Sequence, residues 1–313
     1  MPISSLYRLV LMAALAVTTP ATAQHSVDSL AVRLSAMTAV SGFEQAMADT
    51  LLSMLPGSAR DRAGNVVLTL GTGAPRRLVA CPMDEPGFVV GRVRPDGYLT
   101  LRRVGPSPGR LADQQLEGQR ITVFGRRGPV TGVVGVRSIH LTRGRPPAGE
   151  APFTFDEAYV DIGARDAGEV AGLGIAVLAP LALEKRPHRY GDGLFAAPVA
   201  GRRAACAALA DAAQRAAAPD SGTTTIAFVV EQSFTRRGLA SIARNSRPFD
   251  ATVLLEAART DTIASRPPAP ERLGAYQVWS LPVSYAGSAV ETVALADARE
   301  LSRRVLAYLG GAR

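Results

Sequence analysis

The chain has 313 residues and a net charge of +8, enough length for one large domain or two modest ones with a sizeable core. The positive excess is arginine, since Lys185 is the only lysine, and blocks such as Arg102-Arg103, Arg126-Arg127 and Arg202-Arg203 are scattered without interleaved aromatics. They read as solvated faces, and no nucleic-acid partner is expected.

The first residues have the layout of a secretory signal. Arg8 supplies the basic n-region, Leu9 to Val17 the apolar h-region and Ala21-Thr22-Ala23 a small-residue cleavage site. Residues 1–23 are therefore expected to be removed, leaving a secreted or periplasmic chain. The apolar run is too short to span a bilayer, and no membrane span is expected elsewhere.

His25 to Leu55 reads as two helical stretches broken at Ser41-Gly42. Asn65–Leu70 and Arg77–Cys81 read as strands separated by the Gly71-Thr72-Gly73 turn. The second strand ends in the run Leu78 to Phe88, LVACPMDEPGF, where an apolar segment stops at Asp84, Glu85 and a Pro-Gly turn. Open α/β sheets deliver charged groups to the carboxyl ends of their strands in this way.

About seven short β-like segments follow, among them Gly87–Val93, Tyr98–Val104, Arg120–Phe124 and Val130–Val136, with a Gly/Pro-rich loop at Arg143–Pro152. Their spacing predicts a small β-barrel or sandwich inserted into the main domain. After Ala197 the texture changes to alternating helices and strands. Helices are expected over Ala200–Ala218, within Ser233–Ser246 and over Val290–Leu309; strands are expected over Thr223–Val230 and Ala251–Leu255. Arg266–Glu271 reads as a local linker. The expected fold is α/β, a mainly parallel sheet flanked by helices, built from residues 24–86 and 190–313 with the β domain inserted at 87–189. Cys81 and Cys206 would pair, or stand as two small buried thiols.

Several segments, in order, resemble the tetrahedral, or glutamyl, aminopeptidases, a family of two-zinc exopeptidases. Leu78 to Phe88 is similar to the family's A-H-M-D-E-x-G-F segment, Ser41 to Glu44 to its S-G-x-E turn, and Asp61 with Gly64-Asn65-Val66 to its D-x-x-G-N-V entry. Gly132 to Gly135 with Ile139-His140-Leu141 resembles G-V-I-G…H-L. Tyr159 to Ala164 with Leu173-Gly174-Ile175 resembles x-x-D-I-G-A…L-G-I, and Val283 to Tyr285 with Glu291 echoes R-Y-x-H-S-x-x-E. The resemblance covers almost the whole chain after the signal. It implies the zinc-exopeptidase sheet, an inserted β domain, and oligomers built through that domain. It also puts Cys81 late in a core strand and Cys206 one or two turns into a nearby helix.

The resemblance implies a chemistry that the residues do not supply. Two zinc ions bridged by a carboxylate need histidine and carboxylate ligands, and a glutamate acts as general base on the bridging water. The first ligand position carries Pro82 and the bridging position Ala200. The base falls on Gln232, or on Glu231 if the register slips by one, and the next ligand on Ser233. Only Glu256 keeps a carboxylate, because the last histidine position is Gly287. Asp84 and Glu85 then read either as a pair that once oriented a zinc-bound imidazole or as a charged turn kept for folding. Glu231 and Glu256 could hold a hard cation or pair with Arg202, Arg236 or Arg237.

The chain has three histidines, His25, His140 and His188, and catalytic zinc sites nearly always use an imidazole. The expectation is a degenerate exopeptidase homologue with no cofactor, binding peptides or partner proteins. The alternatives are an active zinc or cobalt aminopeptidase with relocated ligands, and a non-catalytic subunit of a homo- or hetero-oligomer.

Overall fold

A computed structural model describes residues 26–106, 115–136, 155–259 and 272–310. The signal segment 1–23, His25, His140, the Arg143–Pro152 loop and the Arg266–Glu271 linker lie outside the described residues. In chain order the elements begin with α1 (Val27–Ser35), α2 (Gln45–Met54), β1 (Ala59–Arg60), β2 (Val66–Thr72) and β3 (Arg76–Pro82). Then come β4 (Gly87–Val93), β5 (Leu99–Val104), β6 (Arg120–Gly125), β7 (Gly128–Gly135), β8 (Tyr159–Asp161), α3 (Ala167–Gly172) and β9 (Pro180–Leu183). The remainder is β10 (His188–Tyr190), β11 (Leu194–Ala196), α4 (Ala200–Arg215), β12 (Gly222–Val229), α5 (Arg237–Asn245), β13 (Ala251–Arg259), β14 (Ala275–Val283), β15 (Thr292–Ala294) and α6 (Leu295–Leu309).

Six strands form the main sheet in the order β1-β2-β12-β3-β13-β14. The four from β12 to β14 are parallel, while β2 joins β12, and β1 joins β2, antiparallel. Strand side chains alternate between the faces. Val79, Cys81, Ile226, Phe228, Val253 and Leu255 pack against α1, α2, α4 and α6 on one side. Leu78, Ala80, Ala227, Val229 and Leu254 pack on the other against Leu239 and Ile242 of α5. The alanines of α4 (Ala204, Ala205, Ala207, Ala208) are fully buried, as suits a central helix pressed between the sheet and its neighbours.

Strands β4-β5-β8-β7-β6-β9 close into a barrel with its own core of Phe88, Val90, Leu101, Ile121, Val123, Val160 and Leu181. This is the expected inserted β unit, its strands falling between Gly87 and Leu183. A third, three-stranded sheet (β10-β11-β15) was not foreseen. It takes Thr292–Ala294 out of the helix expected over Val290–Leu309. β14 was also missed; it lies at the sheet edge, where Pro282 can be exposed without breaking a ladder.

Candidate active site

The crevice lies where the rules for parallel sheets put it, past the carboxyl ends of β3, β12 and β13. Pro82 pairs with Val229, and Leu254 pairs with Ala80, so Glu256 stands level with Pro82 two residues further on. Two helices start at the same place. α4 begins after Val199 and α5 after Arg236, neither with a side-chain cap. Val199, Glu231, Arg236 and Tyr285 all take left-handed backbone, at φ of 52°, 52°, 55° and 53°. These are four of the six non-glycine residues with positive φ among the described residues. Such strain persists only where the surroundings over-determine it.

Asp84 and Glu85 are both almost fully buried. Asp84 Oδ2 accepts from the Ser41 hydroxyl and, at 2.7 Å, from the Ser233 backbone N–H. The Arg202 guanidinium reaches Asp84 Oδ1 at 3.3 Å and its carbonyl at 3.1 Å, and also contacts the Ser233 hydroxyl. Glu85 Oε2 meets two cations, Lys185 Nζ at 2.6 Å and Arg203 Nη2 at 2.9 Å, while Oε1 accepts from Ala39 N–H. Burial alone would raise the Glu85 pKa, but Lys185 and Arg203 outweigh it and hold it below the ordinary glutamate value. Arg202-Arg203 is therefore a correction to the sequence reading. Arg203 is 1% exposed and Arg202 faces the crevice, so this block is no solvated face.

The positions expected to carry metal ligands lie at the ends of the elements or in the loops around the crevice, and four of the five carry no carboxylate or imidazole. Pro82 ends β3, Ala200 opens α4, Ser233 follows β12, and Gly287 sits in the loop before β15 at φ 74°, a conformation that disfavours any side chain. Glu256 is the exception. Burial pushes its carboxyl up, Arg202 and Arg236 pull it partly back, and Asp84 adds to the rise. Glu231 turns to Arg237 Nη2 at 2.5 Å and Thr235 Oγ1 at 2.7 Å, an arginine partner as the sequence suggested. The Gln232 side-chain oxygen is buried without a hydrogen-bond partner among the described residues.

Among the described residues no three His, Cys, Asp or Glu side chains gather where a metal ion could be held. The described histidine, His188, is exposed on β10, with Nδ1 against the Arg186 carbonyl at 3.3 Å. The donors present do not fit two zinc ions. A guanidinium lies against Asp84 instead.

Three contributors escaped the sequence reading. Glu44 is buried, with its carboxyl raised by burial, and accepts from Gly42 N–H and Glu231 N–H, tying the first turn to the β12 loop. Glu291 accepts from Gly201 N–H and Gly287 N–H, both at 2.9 Å, and so ties the start of α4 to the loop at Gly287. Lys185 was counted but not placed. The family motifs pointed to Glu44 and Glu291 as resemblances without saying what they hold. Cys81 and Cys206 are joined in a disulfide, which fixes the end of β3 to the second turn of α4.

Comparison with known proteins agrees with this geometry. The model of the M42 glutamyl aminopeptidase family matches residues 64–265. The Escherichia coli (strain K12) protein SgcX is 31% identical over 218 residues, 67% of this chain and 57% of its own length. Lysyl aminopeptidase of Pyrococcus furiosus is 32% identical over 202 residues, 62% of this chain and 56% of that enzyme. The chain thus spans less than two thirds of the length of these relatives. Among solved structures, an aminopeptidase from the archaeon Desulfurococcus kamchatkensis superposes with a TM-score of 0.78 at 18% identity, covering 91% of this chain and 95% of that one. The TET1 peptidase of Pyrococcus horikoshii, described as assembling into a tetrahedron or a large octahedral shell, gives 0.79 at 19% identity, covering 91% and 100%. The chain belongs to the M42 glutamyl aminopeptidase family.

Proposed function

We propose that this chain is an exported member of the family that has lost metal-dependent hydrolysis and uses the crevice to bind peptides. The observation that carries the reading is Arg202. Its guanidinium lies against the Asp84 carboxylate, while the surrounding ligand positions offer a proline, an alanine, a serine and a glycine. A cation built into the chain compensates the buried Asp84 carboxylate beside the positions where the family resemblance implies metals.

Three features support retention of the crevice for binding. Its backbone is strained at Val199, Glu231, Arg236 and Tyr285, as functional sites often are. Phe43, Phe234 and Tyr285, from the loops that form it, are exposed aromatics. Gln232 holds an unused buried acceptor that suits a peptide N–H or amine. Export is supported by the signal-like first residues and by the disulfide, which persists in oxidising compartments. No described helix is long and apolar enough to cross a membrane.

Metal analysis of the purified protein, paired with an amino-acid p-nitroanilide assay, tests the reading. Substoichiometric zinc and cobalt with no release is the expected result. Near-stoichiometric metal with EDTA-sensitive release would establish the active aminopeptidase with relocated ligands. Assembly through the barrel is a compatible role. Val133, Val177 and Leu178 are exposed on or beside the barrel strands, and the TET1 relative is described as a shell-forming protein. Native mass spectrometry showing only monomer would count against it.

A further inference from the structure

Where the barrel meets the main sheet lies a cavity of about 200 Å³, which shares Val199 and Gly287 with the crevice. Phe88, Leu116, Leu183 and Pro198 supply an apolar lining, and Lys185 brings positive charge to its wall. Glu85 also lines it, but Oε2 of that carboxylate is shared by two cations, Lys185 and Arg203. One buried negative charge therefore faces two buried positive ones, and the cluster carries a net positive charge. The Lys185 side chain is 8% exposed, and its ammonium makes one hydrogen bond, to Glu85, among the described residues. An ammonium has three N–H donors, so two are left to be met. Buried donors without acceptors and an uncompensated buried charge are both costly, and one anionic ligand answers both. Burial and the neighbouring Arg203 lower the Lys185 pKa while Glu85 opposes them, as a cation short of partners requires.

We propose that this cavity binds a small monocarboxylate with a short apolar body, its carboxylate accepting from Lys185 and its body lying among Phe88, Leu116, Leu183 and Pro198. The size follows from the volume, which accommodates only a handful of carbon atoms when a water molecule takes about 30 Å³. A doubly charged ligand would overcompensate the cluster, and a neutral one, although its oxygen can accept from Lys185, would leave the buried positive charge uncompensated. Gly287 lines the cavity, but the inference goes beyond the peptide-binding reading, since its donor is Lys185 and no expected metal-ligand position.

The test is isothermal titration of the full chain with 4-methylpentanoate near neutral pH, beside 4-methylpentan-1-ol as the uncharged analogue. Saturable one-to-one binding of the acid, at least tenfold tighter than the alcohol, is expected. Lys185→Met should weaken it at least tenfold while leaving Glu85 and Arg203 as a balanced pair, so that folding by circular dichroism is retained. Ala289→Phe, a change in a half-buried loop residue lining the cavity, should weaken acid and alcohol alike. Absence of saturable binding, equal affinity for the alcohol, or binding untouched by Lys185→Met in a folded protein would each overturn the proposal. The peptide-binding reading is judged separately, by metal content and p-nitroanilide release.

Discussion

Arg202 and Asp84 form an ion pair, Nη1 to Oδ1 at 3.3 Å, each two residues beyond a position expected to carry a metal ligand, Ala200 and Pro82. The acid is wholly buried and the guanidinium is one-fifth exposed. Removing one partner of such a pair leaves an uncompensated buried charge, which typically costs about 3–5 kcal/mol. Arg202→Met is expected to lower unfolding free energy toward the lower end of that range, because Ser41 and the Ser233 N–H still serve Asp84. Arg202→Lys should recover part of the loss, since a point charge cannot span both Asp84 and Ser233 as the planar fork does. Urea denaturation of the three proteins checks this ordering, and a neutral Arg202→Met would remove the guanidinium from the account of the site.

Glu256 behaves in the opposite sense to Glu85. Its folded-state pKa is raised, chiefly by burial, so its stabilising contribution is present below the ordinary glutamate value and is lost as pH rises through the raised one. Glu256→Gln does not titrate. The variant should match the wild type near pH 4 and become the more stable of the two toward pH 7. Unfolding free energies measured across that interval decide it; a wild type that gains on the variant with rising pH would show that Arg202 and Arg236 dominate over burial.

Much of this was legible in the chain because it rests on local rules. The run from Leu78 to Glu85 announces a strand delivering carboxylates, and short strands punctuated by Pro-Asp-Gly and Arg-Arg-Gly turns announce the barrel. What the chain did not disclose depends on distant partners. Arg203 reads as one of many surface arginines until the fold seats it beside Glu85, 118 residues away in sequence. Lys185 reads as one more surface cation between Glu184 and Arg186, and only the junction of barrel and sheet buries it. Thr292–Ala294 joins a helical pattern in sequence yet pairs with Leu194–Ala196, because that strand offers a free edge.

The Cys81–Cys206 disulfide closes a sequence separation of 125 residues between β3 and α4. In the chain-entropy account a loop of that length stabilises by about 5 kcal/mol, the strain of the native state aside. The double variant Cys81→Ala/Cys206→Ala is expected to lose about 3–5 kcal/mol, and dithiothreitol should lower the wild-type midpoint only once the protein is partly unfolded, both sulfurs being buried. Denaturant titrations with and without reductant test both statements. An unchanged midpoint for the double variant would mean that the pair contributes nothing beyond two packed thiols.

Gly201 follows Ala200 in the first turn of α4, and its backbone presses against β13 and β14. A Cβ added there would lie 2.3 Å from Val283 Cγ1 and 2.7 Å from Ala257 Cβ, contacts that real side chains do not make. Its N–H is held by Glu291 at 2.9 Å, so the first turn of α4 cannot retreat without breaking that bond. Gly201→Ala is therefore expected to destabilise by about 1–3 kcal/mol, the usual cost of overpacking, although alanine favours a helix by about 1 kcal/mol over glycine. Glu291→Ala should release the turn, so the double variant should lose less than the sum of the two single losses. A double-mutant cycle in urea measures that coupling, and strict additivity would show that Glu291 does not hold α4 against the sheet.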